Sequence, residues 1–152
     1  MGFSVNGWGQ VFQGSSALSL DAKGRMTVPT RYRDHLLATE SGCLTLTRHP
    51  DGCLILYPRS TWEQKREQIA ALPMSARALQ RLMLGSAQDV EIDSAGRILI
   101  APELRQAAGL LKNTMLLGLG GHFELWDAQQ LELRQAADLA QALPEALDHF
   151  SL

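Results

Sequence analysis

The chain repeats itself, and that repeat limits its fold more than any other feature. Leu20-Asp21-Ala22-Lys23-Gly24-Arg25-Met26 aligns with Ile92-Asp93-Ser94-Ala95-Gly96-Arg97-Ile98 at a constant offset of 72 residues. At the same offset Val28 matches Ile100, Tyr32 matches Leu104 and Arg33 matches Arg105. Pro29 and Pro102 both open the segment that follows, displaced by one residue. Further on, Leu54-Ile55-Leu56-Tyr57 resembles Phe123-Glu124-Leu125-Trp126 in a slightly drifted register. The sequence therefore holds two tandem copies of one unit of about 70 residues. We place the first at residues 12–72 and the second at 84–143. Residues 73–83 form a linking helix, 1–11 an extension and 144–152 a tail.

Within each copy the pattern predicts the same elements. Residues alternate before and after Asp21-Ala22-Lys23-Gly24, so Leu18, Leu20, Met26 and Val28 share a buried face of a β-hairpin. Ser19, Arg25 and Thr27 then face outward, and in the second copy Val90, Ile92, Ile98 and Ile100 form the buried set. The aspartate can close the turn through backbone N–H groups, and Gly24 and Gly96 suit a position needing positive φ. Pro29 and Pro102 start short helices at about 29–38 and 102–108, stopped near Gly42 and at Gly109. A second hairpin follows in each copy, turning at Asp51-Gly52 and at Gly120-Gly121. Ser60-Thr61-Trp62-Glu63 reads as a capping box for the next helix, and Asp127-Ala128-Gln129-Gln130 as a looser one. The linking helix spans about 75–84, and the last helix about 128–143, ending at Pro144.

Composition sets the outer limits. Apolar content of 45% and charged content of 20% fit a globular protein. No apolar run reaches the roughly 20 residues that span a bilayer. Residues 1–10 show no basic stretch leading into an apolar core, so a cytoplasmic location is expected. Cys43 and Cys53 read as free thiols, two small apolar side chains in neighbouring strands. His49 lies between them, but a structural zinc site takes four ligands and no second Cys/His pair sits at suitable spacing. No metal and no cofactor are expected on that count. Trp62, Trp126, Tyr57 and Phe123 read as core or interface residues.

The net charge of −2 is not that of a strongly basic nucleic-acid binder. Charge is nonetheless unevenly spread: Lys23, Arg25, Arg31 and Arg33 lie in the stretch 22–33, which has no acid. One Asp-x-x-Gly-Arg alone is a stable turn with a solvent-facing arginine. Two, each followed by proline and a helix, point further.

Those residues resemble the AbrB/SpoVT family of swapped-hairpin DNA-binding domains. The likeness rests on Phe12-Gln13-Gly14, Asp21-Ala22-Lys23-Gly24-Arg25, Val28-Pro29-Thr30-Arg31-Tyr32-Arg33, Leu84-Gly85, Asp93-Ser94-Ala95-Gly96-Arg97 and Phe123-Glu124-Leu125-Trp126, and covers about 12–143. It implies an α+β fold in which two tandem swapped-hairpin units form a pseudo-dimeric core with short helices outside. It also implies a nucleoid-associated transcriptional regulator, assembled as a ring-shaped homo-oligomer on double-stranded DNA. The expected target is tandem G-rich repeats in the promoter of its own division and cell-wall gene cluster.

Carried over by position, the DNA-contacting set is Asp21, Lys23, Arg25, Arg31, Arg33, Asp93 and Arg97. Arg25 and Arg97 are the base readers, because a guanidinium fork matches guanine O6 and N7. Lys23, Arg31 and Arg33 neutralise phosphates. Asp21 and Asp93 fix the turns and aim the arginines. Ala95 stands opposite Lys23 in the repeat, so the two tips are expected to contribute unequally. The start departs from the family's usual Met-Phe-x-Gly: here it reads Val11-Phe12-Gln13-Gly14. We read Val11 as the initiator, decoded from GTG, and 1–10 as an upstream extension; native protein whose intact mass begins at Met1 contradicts this.

Two rival classes stand beside that reading. An enzyme with a small-molecule substrate is disfavoured because His35, His49, His122 and His149 are far apart and no catalytic spacing is evident. An antitoxin-like module, whose C-terminal arm wraps a toxin, usually has one hairpin unit rather than two. A toxin gene next door, against division and wall-synthesis genes, separates the last two.

Overall fold

The computed structural model describes residues 11–152. The reading of Val11 as the start concerns residues 1–10 and lies outside the described residues. The first copy runs β1 (Phe12–Ser19), β2 (Arg25–Thr27), α1 (Thr30–Glu40), β3 (Cys43–Arg48), β4 (Leu54–Pro58) and α2 (Arg59–Ala70). A linking α3 (Arg77–Met83), preceded by a 3-10 turn at Met74–Ala76, leads to the second copy. That copy repeats the order as β5 (Gln88–Glu91), β6 (Arg97–Leu99), α4 (Pro102–Ala107), β7 (Asn113–Gly120), β8 (Phe123–Asp127) and α5 (Ala128–Leu139). The fold is α+β, and the repeat seen in the sequence is a repeat of elements.

The strands pair across the copies, and this revises the residue-level picture of two local hairpins at Asp21–Gly24 and Asp93–Gly96. One sheet has the order β1-β7-β8-β4-β3-β5, and a separate ribbon joins β2 to β6. Exchanging equivalent strands (β1 with β5, β3 with β7, β4 with β8) returns the same order. The molecule thus has a pseudo-twofold axis between β4 and β8, which pair with Ile55 opposite Glu124. The Asp-x-x-Gly-Arg segment does turn tightly, because Asp21 N–H donates to the Arg25 carbonyl at 3.0 Å and Asp93 N–H to that of Arg97 at 2.8 Å. Beyond the turn, however, β1 runs to β7 along eight paired positions and β2 to β6 along three. The turns are tips of swapped hairpins. The later hairpins, β3 with β4 and β7 with β8, are local as expected.

Alternation decides where the core sits. Leu44, Leu46, Leu54, Leu56, Leu116, Phe123 and Leu125 project from the large sheet into one cluster with Met26, Val28, Ile98 and Ile100 from the ribbon side. Tyr32 and Leu36 of α1 and Leu104 of α4 close it. The opposite sheet face carries Ile55 and Tyr57 against Trp62 and Ile69 of α2 and Met83 of α3. There too, Cys53 and Trp126 pack on Leu131 of α5. All four aromatics expected in the core or an interface are buried. Burying residues of this size contributes about 1.5–3 kcal/mol each before entropy is charged.

Two helix details differ from what the sequence predicts. The capping box at Ser60 does not form, since α2 starts at Arg59 with no side-chain cap of its own. Glu40, at the end of α1, supplies the carboxylate instead: it accepts from Ser60 N at 2.9 Å and Ser60 Oγ at 2.7 Å. Asp127 does cap α5, accepting from Gln130 N at 3.1 Å. That helix ends at Leu139 rather than 143, and its residues from Gln135 on are exposed. Cys43 and Cys53 are free thiols.

Candidate nucleic-acid interface

The ribbon brings the two repeated arginines onto one surface. Met26 faces Ile98 across it, and both are buried, so their neighbours Arg25, Thr27, Arg97 and Leu99 must point the other way. Arg25 lies opposite Leu99 and Thr27 opposite Arg97, which makes the arginines diagonal neighbours, about 7–8 Å apart by sheet geometry. A solvent-facing pair of guanidinium groups thus comes from residues 72 apart in the chain.

Each aspartate fixes its arginine. Asp21 Oδ1 accepts from the backbone N–H of Lys23 and of Arg25, both at 2.9 Å. Its Oδ2 accepts from Arg25 Nε at 2.6 Å. The second copy repeats this: Asp93 Oδ1 accepts from Ala95 N at 2.9 Å and Arg97 N at 2.8 Å, and Oδ2 from Arg97 Nε at 3.2 Å. Engaging Nε leaves the two terminal nitrogens of each arginine without a partner among the described residues. These are the atoms a bidentate acceptor pair needs. The Arg25 backbone N–H, above all, holds the Asp21 carboxyl down at about 2. Asp93 is lowered for the same reason by the Arg97 N–H.

The tips are braced from the other copy. Gly24 and Gly96 take φ of 84° and 80°, as the turn requires. Arg105 of α4 lies on Gly24, where a Cβ would come 2.5 Å from its Nε. Arg33 of α1 lies on Gly96, where a Cβ would come 2.6 Å from its Cζ. Arg105 Nε donates to the Ile100 carbonyl at 2.9 Å, and Arg33 Nη2 to Thr30 Oγ1 at 2.9 Å. Backbone bonds add to the bracing: Val28 N–H to the Gly96 carbonyl at 2.9 Å, and Ile100 N–H to that of Gly24 at 3.0 Å.

Of the seven residues expected at the interface, Asp21, Arg25, Asp93 and Arg97 come together on the ribbon. Lys23 is exposed at the first tip. Arg33 goes to the second tip rather than the first. Arg31 is not brought to the ribbon; its Nη2 donates to Ser16 Oγ at 2.7 Å and its guanidinium covers the Tyr32 ring at 4.7 Å. Two cationic residues were missed. Arg105 was visible as the repeat partner of Arg33, but its place over Gly24 depends on the swap. Lys112 is exposed, and its carbonyl accepts from Leu20 N at 2.9 Å beside the first tip. At the second tip the matching bond, Ile92 N to the carbonyl at 2.9 Å, is accepted by Gly42. The first tip is the more basic by two lysines.

Among the described residues no helix is long and apolar enough to cross a membrane. The family model described as MraZ protein, of antitoxin-like kind, matches residues 11–82 and again 83–147. A Bordetella pertussis protein named transcriptional regulator MraZ is 67% identical over 141 residues, covering 93% of this chain and 99% of the relative. Proteins of the same name from Verminephrobacter eiseniae and Burkholderia mallei are each 60% identical over the same shares. Two matches in tandem, with the doubled elements and the swapped tips, leave one assignment: the chain belongs to the MraZ family, whose named relatives are transcriptional regulators and not enzymes.

Proposed function

We propose that the chain is a transcriptional regulator that binds double-stranded DNA through the β2–β6 ribbon. The observation that carries this is the pair of Asp-aimed arginines on the ribbon's solvent face, with their terminal nitrogens free of partners among the described residues. A two-stranded ribbon fits the major groove, where guanine offers O6 and N7 side by side. Arg25 and Arg97 are the base readers; Asp21 and Asp93 hold them and do not touch DNA. Lys23 and Lys112 meet phosphates at the first tip, Arg33 and Arg105 stiffen the two tips, and Arg31 serves farther back along β1. Residues 12–72 and 84–143 are the two domains, neither of which completes the ribbon alone.

A subunit with net charge −2 binds DNA weakly by itself. Assembly into a ring repeats the ribbon, and tandem promoter repeats make each later contact intramolecular. The proposed target is the set of G-rich repeats upstream of the protein's own division and cell-wall gene cluster, in the cytoplasm on the nucleoid. A gel shift on the upstream region and on a shuffled duplex of equal length, over a salt series, tests the reading. Preference for the upstream region that survives moderate salt is expected; equal binding to both duplexes refutes it.

A further inference from the structure

Along the chain, Cys43, His49 and Cys53 have no second Cys/His pair at suitable spacing to complete a four-ligand metal site. Folding adds a residue from the other copy. One ligand atom each from His49, Cys53 and Glu124 lie within 4.8 Å of one another. Cys53 is 2% exposed, and Ile55, on the same strand face, lies opposite Glu124 in the β4–β8 pair, so the pleat places the thiol and carboxylate on one side. This patch is on the sheet face away from the main core and has no residue in common with the ribbon.

We propose that His49, Cys53 and Glu124 bind a zinc ion that ties the first copy to the second. Zinc bonds of about 2.0–2.3 Å put tetrahedral ligands about 3.3–3.8 Å apart, so the three atoms need to close by only about 1 Å. A thiolate, an imidazole and a carboxylate suit zinc better than calcium or magnesium, which take oxygen ligands. Three protein ligands leave the fourth position to water. Outer partners already orient two of them. Trp126 Nε1 donates to Glu124 Oε1 at 2.8 Å, leaving Oε2 without a partner among the described residues. His49 Nδ1 accepts from the Asp51 backbone N–H at 2.9 Å, which fixes the ring. In the register that matches Leu54–Tyr57 with Phe123–Trp126, the pseudo-twofold puts His122 at the place of Cys53 and Ile55 at that of Glu124. The site is therefore built once per chain.

Titration of the tag-free full-length chain with zinc, followed by calorimetry, and the visible spectrum with cobalt(II) test this. One zinc per chain is expected, with a thiolate-to-cobalt charge-transfer band. Cys53→Ser and Glu124→Gln each weaken binding by at least about tenfold with unchanged circular dichroism, while Cys43→Ser does not. A cobalt complex of the wild-type chain without the thiolate band, or zinc binding unaltered by both variants, overturns the proposal.

Discussion

Asp21 concentrates three hydrogen bonds on one carboxylate, and each has a separate consequence. The two backbone bonds shape the turn, and the one from Arg25 Nε points the guanidinium. All three need the ionised form, so the folded turn holds the carboxyl at about 2 against an ordinary 3.8. The shift is downward on folding. Its contribution to the tip is therefore complete above pH 3.8 and disappears as pH falls through about 2. Carboxyl-resolved NMR should show Asp21 titrating near 2; a midpoint at the ordinary value means the turn is not held this way. Gly96 makes a second prediction at this scale. Alanine there meets both a positive φ and the Arg33 guanidinium, and should cost about 1–3 kcal/mol of stability in chemical denaturation. A neutral outcome contradicts the bracing of the tip.

Between elements, the decisive contacts join parts remote in the chain. Glu40 ends α1 yet caps Ser60 at the start of α2, so Glu40→Ala should destabilise the fold by about 1 kcal/mol, as losing an N-cap does. Unchanged thermal unfolding would place the α2 cap elsewhere. What was legible in the sequence, and what was not, divides along the same line. Most local signals held, the Ser60 capping box excepted: alternation found the strands, proline and glycine marked the α1 and α4 boundaries, and the aspartate turn has the bonds its chemistry suggested. Alternation says which side of a strand is buried but not which strand lies beside it, so residues alone gave hairpins where the fold has swapped pairs. The family resemblance supplied the swap. Arg105 over Gly24 and Glu124 beside Cys53 follow from pairing between the copies, Glu40 under Ser60 from packing within the first, and none has a short-range signal.

At the scale of the molecule, the two copies share one core, and the first two strands of each find their partners in the other. Residues 11–82 alone contain β1 and β2 but lack β7 and β6, leaving Met26 and Val28 with no facing strand. This half, expressed alone, should be unfolded or should self-pair into a homodimer, as circular dichroism with sedimentation can show; a folded monomer contradicts the interlocked description. The proposed function depends on the same interlocking, since only the paired copies put Arg25 and Arg97 on one face. In the proposed ring, repetition of that face offsets the acidic net charge.

The most direct test of this reading is salt-titrated binding of wild-type and Arg25→Ala protein to the upstream region and to a shuffled duplex. Loss of one bidentate guanine contact is worth about 1–3 kcal/mol, multiplied over the repeated tips. The account predicts that Arg25→Ala loses preference for the upstream region while its assembly size and weak, salt-sensitive binding to shuffled DNA stay the same. An Arg25→Ala variant that still prefers the upstream region at moderate salt, as strongly as wild type, contradicts it.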